Sequence, residues 1–236
     1  MHDENTEEHS DDKTHVNRRR GTVLSANTIL KSDAFAGPEQ RVLPEKIEGA
    51  VNFRRAPLYI DDDDATDEDS ATLYGVGMPT TEGLRKALTR MDAGPDGVRT
   101  IHWTSLREEP VIFVDKRPFV LRLLDAPFEN IITTGVRGDT VERMEEALKK
   151  DVIAEAKANN GQILLHDEIV HEKGFELAPE WLSIEESDVL TTKELFASVQ
   201  KEGFKVDYQR VPVTDEQAPV SFSPVLIGLS DLSKAA

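Results

Sequence analysis

The amino-acid sequence predicts an α/β fold, and two observations carry that prediction. The second half alternates strand-like and helical segments in the order strand, long helix, strand, helix, strand, and a helical crossover between strands implies parallel pairing in an α/β sheet. The 236 residues are 38% apolar, which is ordinary for a cored protein of one generous α/β domain or two small ones.

Along the chain, a basic knot at Arg18, Arg19 and Arg20 precedes "GTVLSANTILKSDAF" and a polar loop to about residue 50. In "MPTTEGLRKALTRM", Leu84, Ala87, Leu88 and Met91 fall at i, i+3, i+4 and i+7, with Thr80 or Thr81 placed to cap a short amphipathic helix. "RTIHWTSL" and "PVIFVDKRPFVLRLL" read as β-rich, the second folding about Asp115 and Lys116 as a hairpin. A long helix is predicted with Asp139 as its cap and Glu142 three residues on. Val141, Met144, Leu148 and Val152 mark its apolar face, and Glu145 with Lys149 and Glu146 with Lys150 are read as exposed i,i+4 pairs. "NNG" at 159–161 stops that helix, and "QILLHDE" is a short strand entering a buried sheet. Thr191 with Glu194 forms a capping box for a further helix ending near Gly203, and "FKVDYQRVPV" alternates as a strand. No internal repeat is apparent.

In open α/β sheets, sites form beyond the carboxyl ends of strands. Both "HDE" and "TDEQAP" fall where a strand ends, which places Asp215 on a loop over the functional edge of the sheet.

Charge narrows the range of partners. The net charge of −17 argues against nucleic acid, which requires clustered Lys and Arg. Much of the excess lies in residues 1–12 and in "DDDDATDED" at 61–69, neither of which holds Lys or Arg, so the rest of the chain is nearly balanced and can contain a basic pocket. Both runs read as solvated, disordered segments. A calcium loop starting at Asp61 fails, because Thr66 and Thr72 occupy the positions that need Gly and Glu. No apolar run reaches membrane-helix length and the N-terminus lacks signal-peptide blocks, so a cytoplasmic protein with no membrane span is expected. The chain holds no cysteine, which excludes from it disulfides, thiolate metal sites and cysteine nucleophiles.

Other constellations carry less. His166, Asp167 and Glu168 suggest a metal site, with His171 and Glu172 nearby, but no second clear ligand pair appears, and a structural or sheet-edge role is preferred. "YGVG" at 74–77 lacks the third glycine of a dinucleotide loop, and neither a Walker loop nor a G-x-S-x-G elbow is present, so no cofactor and no metal are expected. Arg54, Arg55, Lys86, Arg107, Lys116, Arg117 and Arg122 are candidates to line an anion pocket, and Arg107, directly after a strand, leads them. Each has the alternative of a surface ion pair, Arg107 with Glu108 or Glu109 among them.

Taken together, "KIEGAVNFRR", "LYGVGMPTTEGLRKAL", "WTSLREEPVIFVDKRPFVLRL", "ILLHDE" and "VLTTKELFASVQKEGFKVDYQRVPVTDEQAP" resemble one repeat of the paladin family, whose domains are similar to the tyrosine-phosphatase-like inositol polyphosphate phosphatases, or cysteine phytases. The resemblance spans roughly residues 18–219. It implies a mixed sheet flanked by helices, in which a cysteine thiolate in a His-Cys-x5-Arg loop attacks phosphorus and a loop Asp protonates the leaving oxygen. Thr214, Asp215 and Pro219 match the Thr-Asp-x-x-x-Pro turn that carries this acid, so Asp215 is its counterpart here. By residue type alone, the same turn also reads as a helix cap.

The departure lies after Pro219, where "VSFSPVLIGLSDLSKAA" stands in place of the helix, buried strand and Cys loop that the family pattern calls for. The sequence therefore predicts an incomplete cysteine-phosphatase-like fold lacking the final strand and phosphate-binding loop. Its parts are an acidic tail at 1–17, a partial phosphatase-like domain at 18–219 and a divergent, truncated end at 220–236. Two functions follow as expectations: a pseudophosphatase module binding a phosphorylated small molecule, a phosphoprotein or another protein partner, or a fragment of an active phosphatase with Asp215 as general acid.

Overall fold

The structure, a computed structural model, describes residues 12–33, 43–56, 72–171 and 174–215. The acidic run 61–69, Glu172, Pro219 and the segment 220–236 lie outside the described residues, as do residues 1–11. Residues 12–18 are helical (α1), so the stretch assigned to an acidic tail, 1–17, ends in an ordered turn of helix. Val16 is buried there, and Trp181 Nε1 donates to Asp12 at 3.1 Å.

Among the described residues ten strands follow: β1 (Thr28–Ser32), β2 (Arg54–Ala56), β3 (Leu73–Gly75), β4 (Ile101–Ser105), β5 (Val111–Val114), β6 (Arg117–Leu123), β7 (Gln162–His171), β8 (Gly174–Ser183), β9 (Val189–Thr191) and β10 (Val206–Arg210). The longer helices are α2 (Thr81–Arg90), α3 (Gly138–Ala158) and α4 (Thr192–Lys201). Six strands form one mixed sheet in the order β8-β7-β1-β6-β5-β9, while β10 with β4 and β2 with β3 form separate pairs.

The sheet is covered on both faces, and β5 shows why. All of "VIFV" is buried, but alternate residues serve different cores. Val111 and Phe113 join α2, α4 and the β4–β10 pair, through Leu84, Leu88, Leu195, Phe196 and Val206. Ile112 and Val114 join Leu148 and Val152 of α3, with Ile163 and Leu165 of β7. A mixed sheet flanked by helices is therefore the observed architecture.

Several local expectations match in detail. Thr80 Oγ1 accepts from the Gly83 N–H at 3.0 Å and caps α2, whose buried residues include Leu84, Ala87 and Leu88. Asp115 and Lys116 take φ of 44° and 69°, the left-handed pair of a two-residue hairpin turn between β5 and β6. Asn160 and Gly161, at φ of 55° and 85°, end α3. Thr191 and Glu194 form the reciprocal capping box of α4.

Three expectations need correction. The crossovers do not join parallel neighbours: β7 pairs in parallel with β1, and β10 pairs in parallel with β4 outside the main sheet. Asp139 is not the N-cap of α3; the cap position is Arg137, without a side-chain cap, and Asp139 pairs with Arg137 and Arg143 in the first turn. Glu145 is not an exposed partner of Lys149. It is 0% exposed and faces the core, while Lys149 pairs with Glu194.

The strand "QILLHDE" also runs on to His171 and returns as β8, ten residues each way. Phe175, Leu177 and Trp181 alternate with Glu176 and Glu180 in β8, and Pro179 has no N–H to give to a ladder. Such a strand belongs at an edge, where β8 lies.

Candidate active site

β4 and β10 run in parallel, with Arg210 opposite Ser105, so the segments leaving their carboxyl ends emerge side by side. The pairing continues beyond the strands: Val211 N–H donates to Ser105 O and Val213 N–H to Leu106 O, each at 2.9 Å. This lays residues 106–109 against 211–215, and the sequence-predicted Thr214 and Asp215 stand where a strand-end site is expected.

Thr214 is buried. Its hydroxyl donates to Glu108 Oε2 at 3.0 Å and lies 3.4 Å from the hydroxyl of Thr134. The next residue, Asp215, is exposed at the mouth and its Oδ2 accepts from Asn130 Nδ2 at 2.8 Å. Behind it lies a buried charge cluster. Arg122 Nη2 donates to Asn130 Oδ1 at 2.7 Å, and its Nη1 bonds Glu109. Arg107 lies 3.2 Å from Glu109 and 2.6 Å from Asp33, and the Ile131 N–H also donates to Glu109 at 3.1 Å. Burial pushes the Glu109 carboxyl above its ordinary range against the pull of Arg107 and Arg122. It pulls the Arg122 guanidinium down in the same way, so desolvation outweighs the attraction within this cluster.

A second buried cluster braces the strand that leads to Thr214 and Asp215. Arg210 ends β10; its Nη2 donates to Glu145 Oε1 at 2.5 Å and its Nη1 reaches the carbonyls of Arg107 and Glu109 at 3.4 Å. Glu145 also accepts from Val111 N, Thr192 N and Thr192 Oγ1. Tyr208 takes a hydrogen bond from Arg210 Nε at 3.1 Å, and burial pushes its hydroxyl pKa up to about 12. One buried carboxylate thus ties α3, β5, α4 and β10 together.

The structure brings together Arg107, Arg122, Thr214 and Asp215. Arg117 sits at the turn end of β6, about 16 Å along the strand from Arg122, bonded to Asp167 at 2.9 Å and Glu180 at 2.7 Å. Lys86 pairs with Glu48 on the exposed face of α2. Arg107, Arg122, Arg117 and Lys86 thus each have a carboxylate neighbour. On β7, His166 is buried, Asp167 holds Arg117, and Glu168 pairs with Lys31, so these side chains serve the sheet and its edge.

Asn130, Glu145 and Arg210 escape the sequence reading. Asn130 stands in a loop with no periodicity to mark it. Glu145 does carry a signal, because with Val141, Leu148 and Val152 it falls on one helical stripe, and a lone carboxylate on an apolar stripe asks for a buried partner.

Comparison with known proteins bears on the whole arrangement. The family model of PTP-like phytases, described as inositol hexakisphosphate, matches residues 104–222, half of the chain. Paladin of Danio rerio is 28% identical over 153 residues, 63% of this chain and 17% of that protein. Paladin of Homo sapiens is 24% identical over 196 residues, 83% of this chain and 18% of that protein. The chain spans about a fifth of the length of these curated relatives. In fold it is similar to the tandemly repeated protein tyrosine phosphatase like phytase of Mitsuokella multacida, with a TM-score of 0.54 and 18% identity, covering 88% of this chain and 31% of that one.

Proposed function

The chain belongs to the PTP-like phytase family, and from that premise we propose that the cluster at the ends of β4 and β10 is the acid-loop half of a phosphatase-like site. In cysteine-dependent phosphate transfer a thiolate attacks phosphorus, the bond from phosphorus to the leaving oxygen breaks, and a general acid supplies the proton that oxygen takes up. Asp215 is the acid in this reading. The observation that carries it is the placement of Asp215 at the mouth of two parallel strands, with Thr214 locked to Glu108 behind it and Asn130 bonded to its carboxyl.

The chain itself contains no cysteine, so it brings no thiolate to the phosphorus and acts as a pseudophosphatase module on its own. The ligand class is a phosphorylated inositol, in keeping with the family description, with a phosphoprotein as the alternative and the cytoplasm as its location. The pairing of Arg107 with Asp33 and Glu109 makes a ligand phosphate compete with resident carboxylates for the guanidinium.

The second reading, an active phosphatase in which a cysteine-bearing loop completes the site, is supported by the position of Thr214 and Asp215 beyond the ends of β4 and β10. Phosphate release from inositol hexakisphosphate by the purified 236-residue chain tests the first reading, and release by a longer natural form of the protein that carries such a loop tests the second. No release above buffer is expected. Release that disappears with Asp215→Ala would overturn the inactive reading, and release that persists in that variant comes from a contaminant.

A further inference from the structure

We propose that Asp33 is a resident competitor for ligand phosphate: its carboxylate holds Arg107 by charge alone and yields that guanidinium to a phosphate group, so that Asp33 sets the affinity for phosphorylated inositols. This rests on the reading of the cluster as a site for such ligands.

The four basic candidates differ in how they are held. Arg117 donates in line to Asp167 and Glu180, Lys86 to Glu48, and Arg122 to Glu109, Asn130 and the Leu121 carbonyl. Arg107 is bound differently. Its Nη2 lies 2.6 Å from Asp33 and its Nε 3.2 Å from Glu109, yet both nitrogens are buried with no hydrogen-bond acceptor in line among the described residues. The contacts are those of opposite charges, without the two parallel hydrogen bonds that make an arginine–carboxylate fork strong. A phosphate monoester carries more charge than a carboxylate and spreads three acceptor oxygens over a tetrahedral group, so it can place oxygens on N–H directions that the resident carboxylates miss.

The two carboxylates on Arg107 are not equally exchangeable. Glu109 is 4% exposed, bonds Arg122 and accepts from the Ile131 N–H, so moving it away would strand a buried guanidinium. Asp33 is 17% exposed, and its carboxylate meets Arg107, which is itself 28% exposed and open to approach. The backbone of Asp33 is held independently of that contact: just past the end of β1, its N–H donates to Pro118 O at 2.9 Å. The side chain can therefore turn from Arg107 while the strand pairing stays in place. Glu109 keeps Arg107 near the site, and Asp33 is the partner that a ligand replaces.

The test is calorimetric titration of inositol hexakisphosphate into the purified 236-residue chain at fixed pH and ionic strength. Asp33→Asn, a near-isosteric change that removes the competing charge, is expected to bind about tenfold more tightly than the wild type. Asp33→Ser is expected to show the same gain, so a folding defect in one variant does not decide the result. Glu129→Gln removes an exposed carboxylate beside Asn130 that does not hold Arg107, and should leave the affinity unchanged. With Arg107→Gln also present, Asp33→Asn should bring no gain. Equal affinity in the wild type and both Asp33 variants, a gain that survives Arg107→Gln, or the same gain in Glu129→Gln overturns the role of Asp33 while leaving the site as a phosphate site. Absence of binding in the wild type and every variant overturns that reading of the site and this proposal with it, so the two failures are told apart.

Discussion

Glu145 and Arg210 meet across the interior, Nη2 to Oε1 at 2.5 Å, with side chains 0% and 1% exposed. Burial raises the Glu145 carboxyl, but Arg210, two N–H groups and a hydroxyl all donate to it, and ionised Glu145 is the form this set of donors satisfies. Removing one partner leaves the other charged and buried. Glu145→Ala and Arg210→Ala are each expected to destabilise the chain by about 3–5 kcal/mol. The double variant should cost clearly less than the sum, because it strands no charge. Urea unfolding of the three variants measures this, and strict additivity would mean that the two side chains act independently.

His166 lends stability of opposite electrostatic character. It is 4% exposed, and burial first, with Arg19 adding to it, lowers its pKa to about 4 from the ordinary 6.5. A histidine depressed in the folded state takes up its proton more readily when unfolded, so its contribution is complete above pH 6.5 and declines as pH falls toward 4. Between pH 7.5 and pH 5 the wild type should lose about 2 kcal/mol through this group. In His166→Gln, which does not titrate, that part of the loss should be missing. Denaturant midpoints for both proteins at the two pH values decide it.

These two groups show how far the sequence could be read. Thr80, Thr191, Asp115 and Lys116 act within their own turns, so their roles follow from neighbours along the chain. The position of Thr214 and Asp215 just past a strand was legible from the alternation that precedes them. The roles of Glu145, Asn130 and Arg122 depend on partners 65, 85 and 13 residues away, which no local pattern specifies. Sheet order has the same character: β10 reads as a strand from alternation alone, but its parallel pairing with β4, over which Phe196 packs on Tyr208 and Trp103, is set by the tertiary fold.

The β5–β6 turn offers a change in the stabilising direction. Asp115 and Lys116 both take positive φ, where a Cβ is unfavourable and Asn-Gly is the preferred pair. The Lys116 carbonyl accepts from Thr81 N–H, a contact that glycine retains. Lys116→Gly should therefore stabilise the chain by about 0.5–1 kcal/mol, the relief of the left-handed conformation exceeding the added freedom of the unfolded chain. A fall in thermal midpoint would mean that the side chain of Lys116 contributes a contact worth more than that relief.

The capping box of α4 ties local sequence to the wider fold. Thr191 Oγ1 accepts from Glu194 N–H at 3.2 Å, Glu194 Oε2 accepts from Thr191 N–H at 2.9 Å, and the same carboxylate binds Lys149 of α3 at 2.8 Å. Burial tends to raise the Glu194 carboxyl, but Lys149 and the two cap bonds prevail and hold it below its ordinary range. Its contribution is thus present above the ordinary glutamate pKa and lost as pH falls through the lower, folded value. Thr191→Ala should cost about 1 kcal/mol at all pH values. Glu194→Gln keeps an acceptor for the Thr191 N–H but loses the pull on Lys149, so it should be destabilising near neutrality and converge on the wild type in acid. A constant difference across that range would place the role of Glu194 in helix capping alone, with no electrostatic tie between α4 and α3.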